Sequence, residues 1–289
     1  MKIRKAVVTA AGWGTRFLPA TKAQPKEMLP LVDKPMIQYV IEEAVASGIT
    51  HIIIVTALGK RALEDHFDRS FELEHALKKK GDGELLRKVT RISELADICY
   101  IRQKEQLGLG HAISITRDLV GNEPFAIFLP DDIIEARVPA MKQMIEVYNR
   151  FKSSVIAVET VAPEDTKAYG IIEPQRVEDR IYRVLSLVEK PEPKDAPSNL
   201  GIVGRYILTP EIFSMLEKTT PGKGGEIQLT DGLRLLQEQQ PIYAYQFEGT
   251  RYDTGTPLGL LRASVEFALN RPDIGAKFKE YLRNLKLPD

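Results

Sequence analysis

The sequence predicts an α/β fold, a doubly wound and mostly parallel central sheet flanked by helices. Three observations carry that expectation. The apolar runs Ala6–Thr9, Ile52–Thr56 and Phe125–Leu129 are rich in β-formers and lack polar alternation, as strands buried on both faces do. Between the first two, Ile37–Ser47 repeats apolar residues at helical spacing and closes on Gly48. A strand, helix, strand, helix order then fits right-handed crossovers within one sheet. In such sheets ligands bind beyond the carboxyl ends of the strands, so the segments after Thr9, Thr56 and Leu129 are where chemistry is expected.

The remaining elements follow in order. Ser70–Ala96 is charged and helical in pattern, with Lys78, Lys79 and Lys80 before a Gly81-Asp82-Gly83 turn, and predicts a helical hairpin inserted in the sheet. The lysine run reads as a solvated face. Ile98–Ile101 is strand-like and carries Cys99, the only cysteine, which reads as a buried, inert thiol. Further strands are expected at Val155–Thr160, Val184–Lys190, Gly204–Leu208 and Ile242–Phe247, with helices at Pro210–Lys218, Gln228–Gln237 and Leu258–Leu269. Pro191–Pro197 is a loop too short to link domains. One domain over 1–289 is the preferred reading, with the insertion at about 70–96 and a C-terminal helical segment at about 258–286.

Composition narrows the function classes. Forty basic residues balance forty acidic ones, which argues against a nucleic-acid footprint or a polybasic membrane anchor. The N-terminal apolar run is interrupted by Gly12 and Arg16, unlike a signal peptide, and no stretch approaches the roughly eighteen apolar residues of a membrane span. A cytoplasmic protein is expected.

The strongest chemical signal is GWGTRFLPATKAQPKEMLP, Gly12 to Pro30, directly after the first strand. Gly12 and Gly14 let backbone approach a ligand, and N–H groups in such a turn point at anions. Phe17 stands where a dinucleotide fingerprint needs its third glycine, and no Gly-Lys-Ser or Gly-Lys-Thr completes a P-loop. Arg16 and Lys26 add two cations, the combination a polyphosphate requires, since each charge-assisted bond contributes about 1.5–3 kcal/mol.

This run resembles the signature of the sugar-1-phosphate nucleotidyltransferases, and its Ala20–Pro30 portion resembles the bacterial branch acting on UTP and glucose 1-phosphate. The likeness continues through Asp33–Tyr39, Asp65–Asp68, Arg102-Gln103, Gly108–Ala112, Leu129–Asp131, Tyr169–Ile172, Val188–Pro191, Gly225–Asp231 and Tyr252–Gly255, nearly the whole chain. The resemblance implies a Rossmann-like nucleotidyltransferase fold and transfer of UMP to glucose 1-phosphate with release of pyrophosphate. It implies nucleotide binding by Ala11, Gly12, Gly14, Thr15, Gln103 and Gly108, with Gln103 reading the uracil edge. The sugar phosphate falls to Gly170, Glu189, Lys190, Val203 and Glu226. Arg16, Lys26, Asp131 and Lys190 are the implied catalytic set, and Asp131 and Asp253 the implied ligands of Mg²⁺, which takes one or two carboxylates beside phosphate oxygens and waters. A homo-dimer or homo-tetramer is also implied.

His111 reads as structural. Trp13, the only tryptophan, replaces a small apolar residue usual in the family loop; it either packs over the nucleotide or fills the loop. Asp132 reads as a supporting neighbour of Asp131. Alternatives are a thymidylyl or other sugar-phosphate nucleotidyltransferase, a glycosyltransferase using UDP-sugar, and an inactive nucleotide-sugar-binding homologue. The intact set Arg16, Lys26, Asp131, Lys190 and Asp253 argues against the last.

Overall fold

The computed structural model describes residues 2–286. Met1 and 287–289, included in the 1–289 domain reading, lie outside the described residues. Among the described residues nine strands build one sheet: β1 (Lys5–Thr9), β2 (His51–Thr56), β3 (Asp97–Arg102), β4 (Phe125–Phe128), β5 (Ser154–Thr160), β6 (Gly170–Glu178), β7 (Ile181–Glu189), β8 (Leu200–Leu208) and β9 (Ile242–Gln246). Their order across the sheet is β3-β2-β1-β4-β8-β5-β9-β7-β6. The expected parallel pairing runs through β3-β2-β1-β4 and recurs between β5 and β9. The later strands pair antiparallel, β8 with β4 and β5, and β7 with β9 and β6.

The unbroken apolar runs have a direct cause. Ala6 and Val8 of β1 enter one hydrophobic layer, and Val7 between them enters the other. Helices Met36–Ala46 and Ala140–Phe151 cover the first layer through Ile37, Val40, Met141 and Met144. Helices Glu211–Lys218 and Leu229–Gln237 cover the second through Ile212, Phe213 and Leu233. Both faces are therefore apolar, and period-2 alternation never appears.

The hairpin expected at Ser70–Ala96 is present as helices Phe71–Lys80 and Gly83–Ser93. Gly81, at φ 73°, turns the chain, and the Asp82 side chain caps the second helix by accepting from Leu85 N–H at 3.0 Å. Lys78, Lys79 and Lys80 are exposed, as expected. The C-terminal segment forms helices Pro257–Leu269 and Gly275–Asn284.

Cys99 needs correcting. It is exposed rather than buried, because β3 is the outermost strand of the sheet and has a neighbour on one side only. Helix Ala140–Phe151 and strand β6 were not anticipated from sequence. Nor was a short antiparallel ribbon in which Asp132–Glu135 pairs with Thr250–Asp253. In its register Asp132 stands opposite Asp253, and this brings the two distant aspartate segments together.

Candidate active site

Two adjoining cavities open beside the ends of these strands. The first, about 470 Å³, is lined by the loop after β1, the turn at Lys26, Gln103 after β3, Gly108, and Asp131 after β4. The second, about 370 Å³, is lined by Arg16, Gly170, Glu189, Lys190, Thr230, Arg251 and Asp253 among others. Leu109, Leu129, Asp131 and Glu226 line both, so Asp131 stands where the cavities meet.

The first cavity is a loop laid over a buried ion pair. Gly14 adopts φ 68°, and a Cβ there would stand 3.1 Å from Lys26 Cβ, so the left-handed turn and the close approach both require glycine. Thr21 closes the turn with its hydroxyl on Gly14 O at 2.8 Å. Lys26 Nζ donates to Asp131 Oδ2 at 2.6 Å. Burial works against the charge on each partner, but each offsets that penalty in the other: the Asp131 carboxyl ends below its ordinary range and the Lys26 ammonium above its own. Beneath lies Glu27, 0% exposed, accepting from Lys60 Nζ at 2.9 and 3.1 Å. Here burial dominates, pushing the Glu27 carboxyl up and the Lys60 ammonium down.

Gln103 is 4% exposed, and its amide nitrogen is already committed to Gly108 O at 3.2 Å and His111 Nδ1 at 2.9 Å. Because Gly108 O only accepts, the orientation of the amide is fixed, and the amide oxygen is the atom left to meet a ligand. His111 thus positions Gln103, in keeping with its structural reading. Gly108, at φ 94°, would drive a Cβ to within 2.8 Å of Glu226 Cβ.

The second cavity is assembled from distant segments. Glu189, at the end of β7, accepts from Thr230 Oγ1 at 2.6 Å and forms an ion pair with Lys190 Nζ at 3.1 Å. Lys190 sits at φ 47°, a left-handed conformation that costs a non-glycine residue about 1–2 kcal/mol. Gly170, at the start of β6, faces the same carboxylate: a Cβ there would lie 3.3 Å from Glu189 Oε2.

Asp131 and Asp253 flank Gly255. A Cβ built on that glycine would stand 2.9 Å from Asp131 Oδ2 and 3.1 Å from Asp253 Oδ1, so both carboxylates border one small space. The ribbon register and the bonds from Thr254 N–H and Oγ1 to Asp131 O, at 2.8 and 2.7 Å, fix this juxtaposition. Asp131 Oδ2 already accepts from Lys26 and Asp253 Oδ1 from Gly255 N–H at 3.0 Å; two such hard carboxylates on one space are the donor type a divalent cation takes beside phosphate and water. Among the described residues no group of three or more such side chains forms an all-protein metal cage.

Most residues expected from sequence therefore line one cavity or the other. Two do not fall as expected. Arg16, expected beside Lys26 on the nucleotide side, lines the second cavity and reaches Gly255 O at 3.5 Å. Val203 lines neither cavity; at 2% exposure it packs in the core layer.

The structure adds residues that the sequence reading passed over. Arg251 holds Asp132 Oδ1 at 2.6 Å, Glu159 Oε1 at 2.5 Å and the Tyr169 hydroxyl at 3.2 Å. Burial opposes its charge, but Asp132 and Glu159 outweigh burial and raise it further. Asp132 also accepts from Gly204 N–H at 2.7 Å, and fully buried Arg205 donates to Asp132 O at 2.8 Å and Glu43 Oε2 at 2.6 Å. Asp132 is thus the anchor that tethers the Asp131 turn to β8 and the ribbon. The available signals were position: Arg251 precedes the Tyr252–Gly255 run, and Thr230 lies within Gly225–Asp231.

Residues 5–269 match the sequence pattern of the Nucleotidyl transferase family. The chain belongs to that family. This nucleotidyl transferase is 55% identical over 284 residues to a UTP–glucose-1-phosphate uridylyltransferase of Bacillus subtilis, covering 98% of this chain and 97% of the relative. It is 53% identical over 286 residues to one of Staphylococcus epidermidis, covering 99% of each. Among solved structures, a UTP-bound UGPase from Acinetobacter baumannii superimposes with a TM-score of 0.92 at 40% identity, covering 98% of this chain and all of that one. A UDP-glucose pyrophosphorylase complexed with UDP-glucose gives 0.85 at 47% identity, covering 93% and 100%. The nucleotidyl transferase fold and the family resemblance expected from sequence are both borne out.

Proposed function

We propose that this nucleotidyl transferase makes UDP-glucose and pyrophosphate from UTP and glucose 1-phosphate, and that it does so by holding the two substrates in the two cavities that meet at Asp131. That meeting point carries the reading: a nucleotide in the larger cavity and a sugar phosphate in the smaller present their phosphates to the same carboxylate.

The first cavity takes UTP. Gln103 offers an acceptor to the uracil N3–H, the one donor on that edge, and backbone of Ala11, Gly12, Gly14, Thr15 and Gly108 surrounds the nucleotide. Lys26 leans toward the triphosphate from beneath. The second cavity takes glucose 1-phosphate, with Glu189 and Glu226 accepting from sugar hydroxyls, Gly170 leaving space for the ring, and Lys190 and Arg16 facing the phosphate.

Chemistry then needs no protein nucleophile. An anionic oxygen of glucose 1-phosphate forms a bond to the α-phosphorus of UTP, while the bond from that phosphorus to the bridging oxygen breaks and its electrons leave with pyrophosphate. The residues contribute position and charge neutralisation. Asp131 and Asp253 would hold Mg²⁺, which when bound supplies further neutralisation of phosphate charge. Lys26, donating to Asp131 Oδ2, keeps that carboxylate ionised and would share it with the ion. The whole chain acts as one catalytic domain, working in the cytoplasm as a homo-dimer or homo-tetramer.

Incubation of the purified protein with UTP, glucose 1-phosphate and Mg²⁺ should release pyrophosphate and form UDP-glucose, and excess EDTA should stop it. No product with these substrates would refute the reading; full turnover in EDTA would refute the metal assignment.

A further inference from the structure

We propose that Trp13 closes over the face of the uracil whose edge Gln103 reads, so that Trp13 sets nucleotide affinity while Gln103 sets base choice; this rests on the uridylyl-transfer reading. Trp13 lies between Gly12 and Gly14, directly after β1. A Cβ at Gly12 would meet nothing within 4 Å, and the loop turns left-handed at Gly14. Trp13 itself is 71% exposed, yet it lines the larger cavity together with Gln103 and Gly108.

That exposure decides between the two roles left open by the sequence. A side chain that fills its own loop is buried by it. Trp13 is not, and among the described residues its ring enters no hydrogen bond, aromatic pair or cation–π contact. A large aromatic face without a protein partner, at the mouth of a cavity suited to a nucleotide, gains most by stacking on the base. Stacking accepts any base, because every base presents a π face. Discrimination stays with the in-plane contact of Gln103, whose amide nitrogen is tied to Gly108 O and His111 and which therefore offers its oxygen alone.

The chain holds one tryptophan, so its fluorescence reports this position and no other. Titrating the intact protein with UTP should quench that emission, saturating at the Kd found independently by calorimetry. Inorganic tripolyphosphate, which carries the charge without a base, should leave the emission unchanged. Trp13→Ala should raise the Kd for UTP about tenfold and that for dTTP by a similar factor, with an unchanged melting temperature. Trp13→Phe, which keeps an aromatic face, should restore most of the affinity. UTP binding seen by calorimetry with unaltered emission, or an unchanged Kd in Trp13→Ala, would overturn the proposal while leaving the reaction intact. Emission that follows protein concentration instead of UTP would assign Trp13 to a contact between copies and also overturn it. Absence of UTP binding by calorimetry would overturn both.

Discussion

The two cavities are built in opposite ways. The nucleotide side takes its glycine loop and its cation turn from one stretch between Ala11 and Glu27, laid over a buried ion pair, and completes the wall with Gln103, Gly108, Leu129 and Asp131. The sugar side is gathered from separate segments: Gly170 at the start of β6, Glu189 and Lys190 at the end of β7, Thr230 on a helix, and Asp253 on the ribbon. A loop of consecutive residues can carry its own geometry through local turns. A site drawn from distant strands depends on sheet register and on bonds such as Thr230 to Glu189. The first side should thus be sensitive to what lies beneath the loop, and the second to individual exposed side chains.

The largest effect expected from this contrast is on stability. Lys60→Met leaves Glu27 buried without its partner and should cost about 3–5 kcal/mol, read by urea denaturation. The direction with pH follows from burial. With Lys60 gone, Glu27 keeps a carboxyl pKa raised in the folded state above its unfolded value, so the folded protein holds the proton more tightly. The deficit relative to wild type should be smallest in acid, below the unfolded pKa, and grow as pH rises toward the folded one. A double variant, Lys60→Met with Glu27→Leu, should recover much of the loss. A silent Lys60→Met would show that the nucleotide loop does not rest on this pair.

Smaller effects should separate the sides. Lys190→Ala should weaken glucose 1-phosphate binding by about one to two powers of ten, the loss of one charge-assisted contact of about 1.5–3 kcal/mol, and leave UTP binding nearly unchanged. Lys26→Ala should do the reverse. Arg16, because it lines the sugar side, sharpens the comparison: Arg16→Ala should resemble Lys190→Ala more than Lys26→Ala. Separate titrations of each ligand check this. Equal loss of UTP affinity in Lys190→Ala and Lys26→Ala would erase the division between the cavities.

The same contrast explains what was legible in the sequence. Strands β1, β2 and β4 announced themselves because both of their faces are buried, leaving unbroken apolar runs. The glycine loop was legible because its residues are consecutive and its turn needs glycine at position 14. Strand β6 was not, because beyond Ile172 it is largely polar and exposed on the outer edge of the sheet. The ribbon carrying Asp253 is only four residues long on each side, too short for any periodicity to show. Val203 lies outside every matched run, and its side chain packs in the core layer. Arg251 was missed because an arginine gains meaning as an anchor only when Asp132 and Glu159 arrive from other strands.

The central claim is direct reaction between ligands held on either side of Asp131, without a covalent enzyme intermediate. It is tested most directly by the stereochemistry at the α-phosphorus, using UTP made chiral there by a single sulfur and a defined configuration. One in-line displacement predicts UDP-glucose thio analogue formed with inversion at that phosphorus. Retention would mean two successive displacements through a nucleotidylated side chain, and would contradict the account.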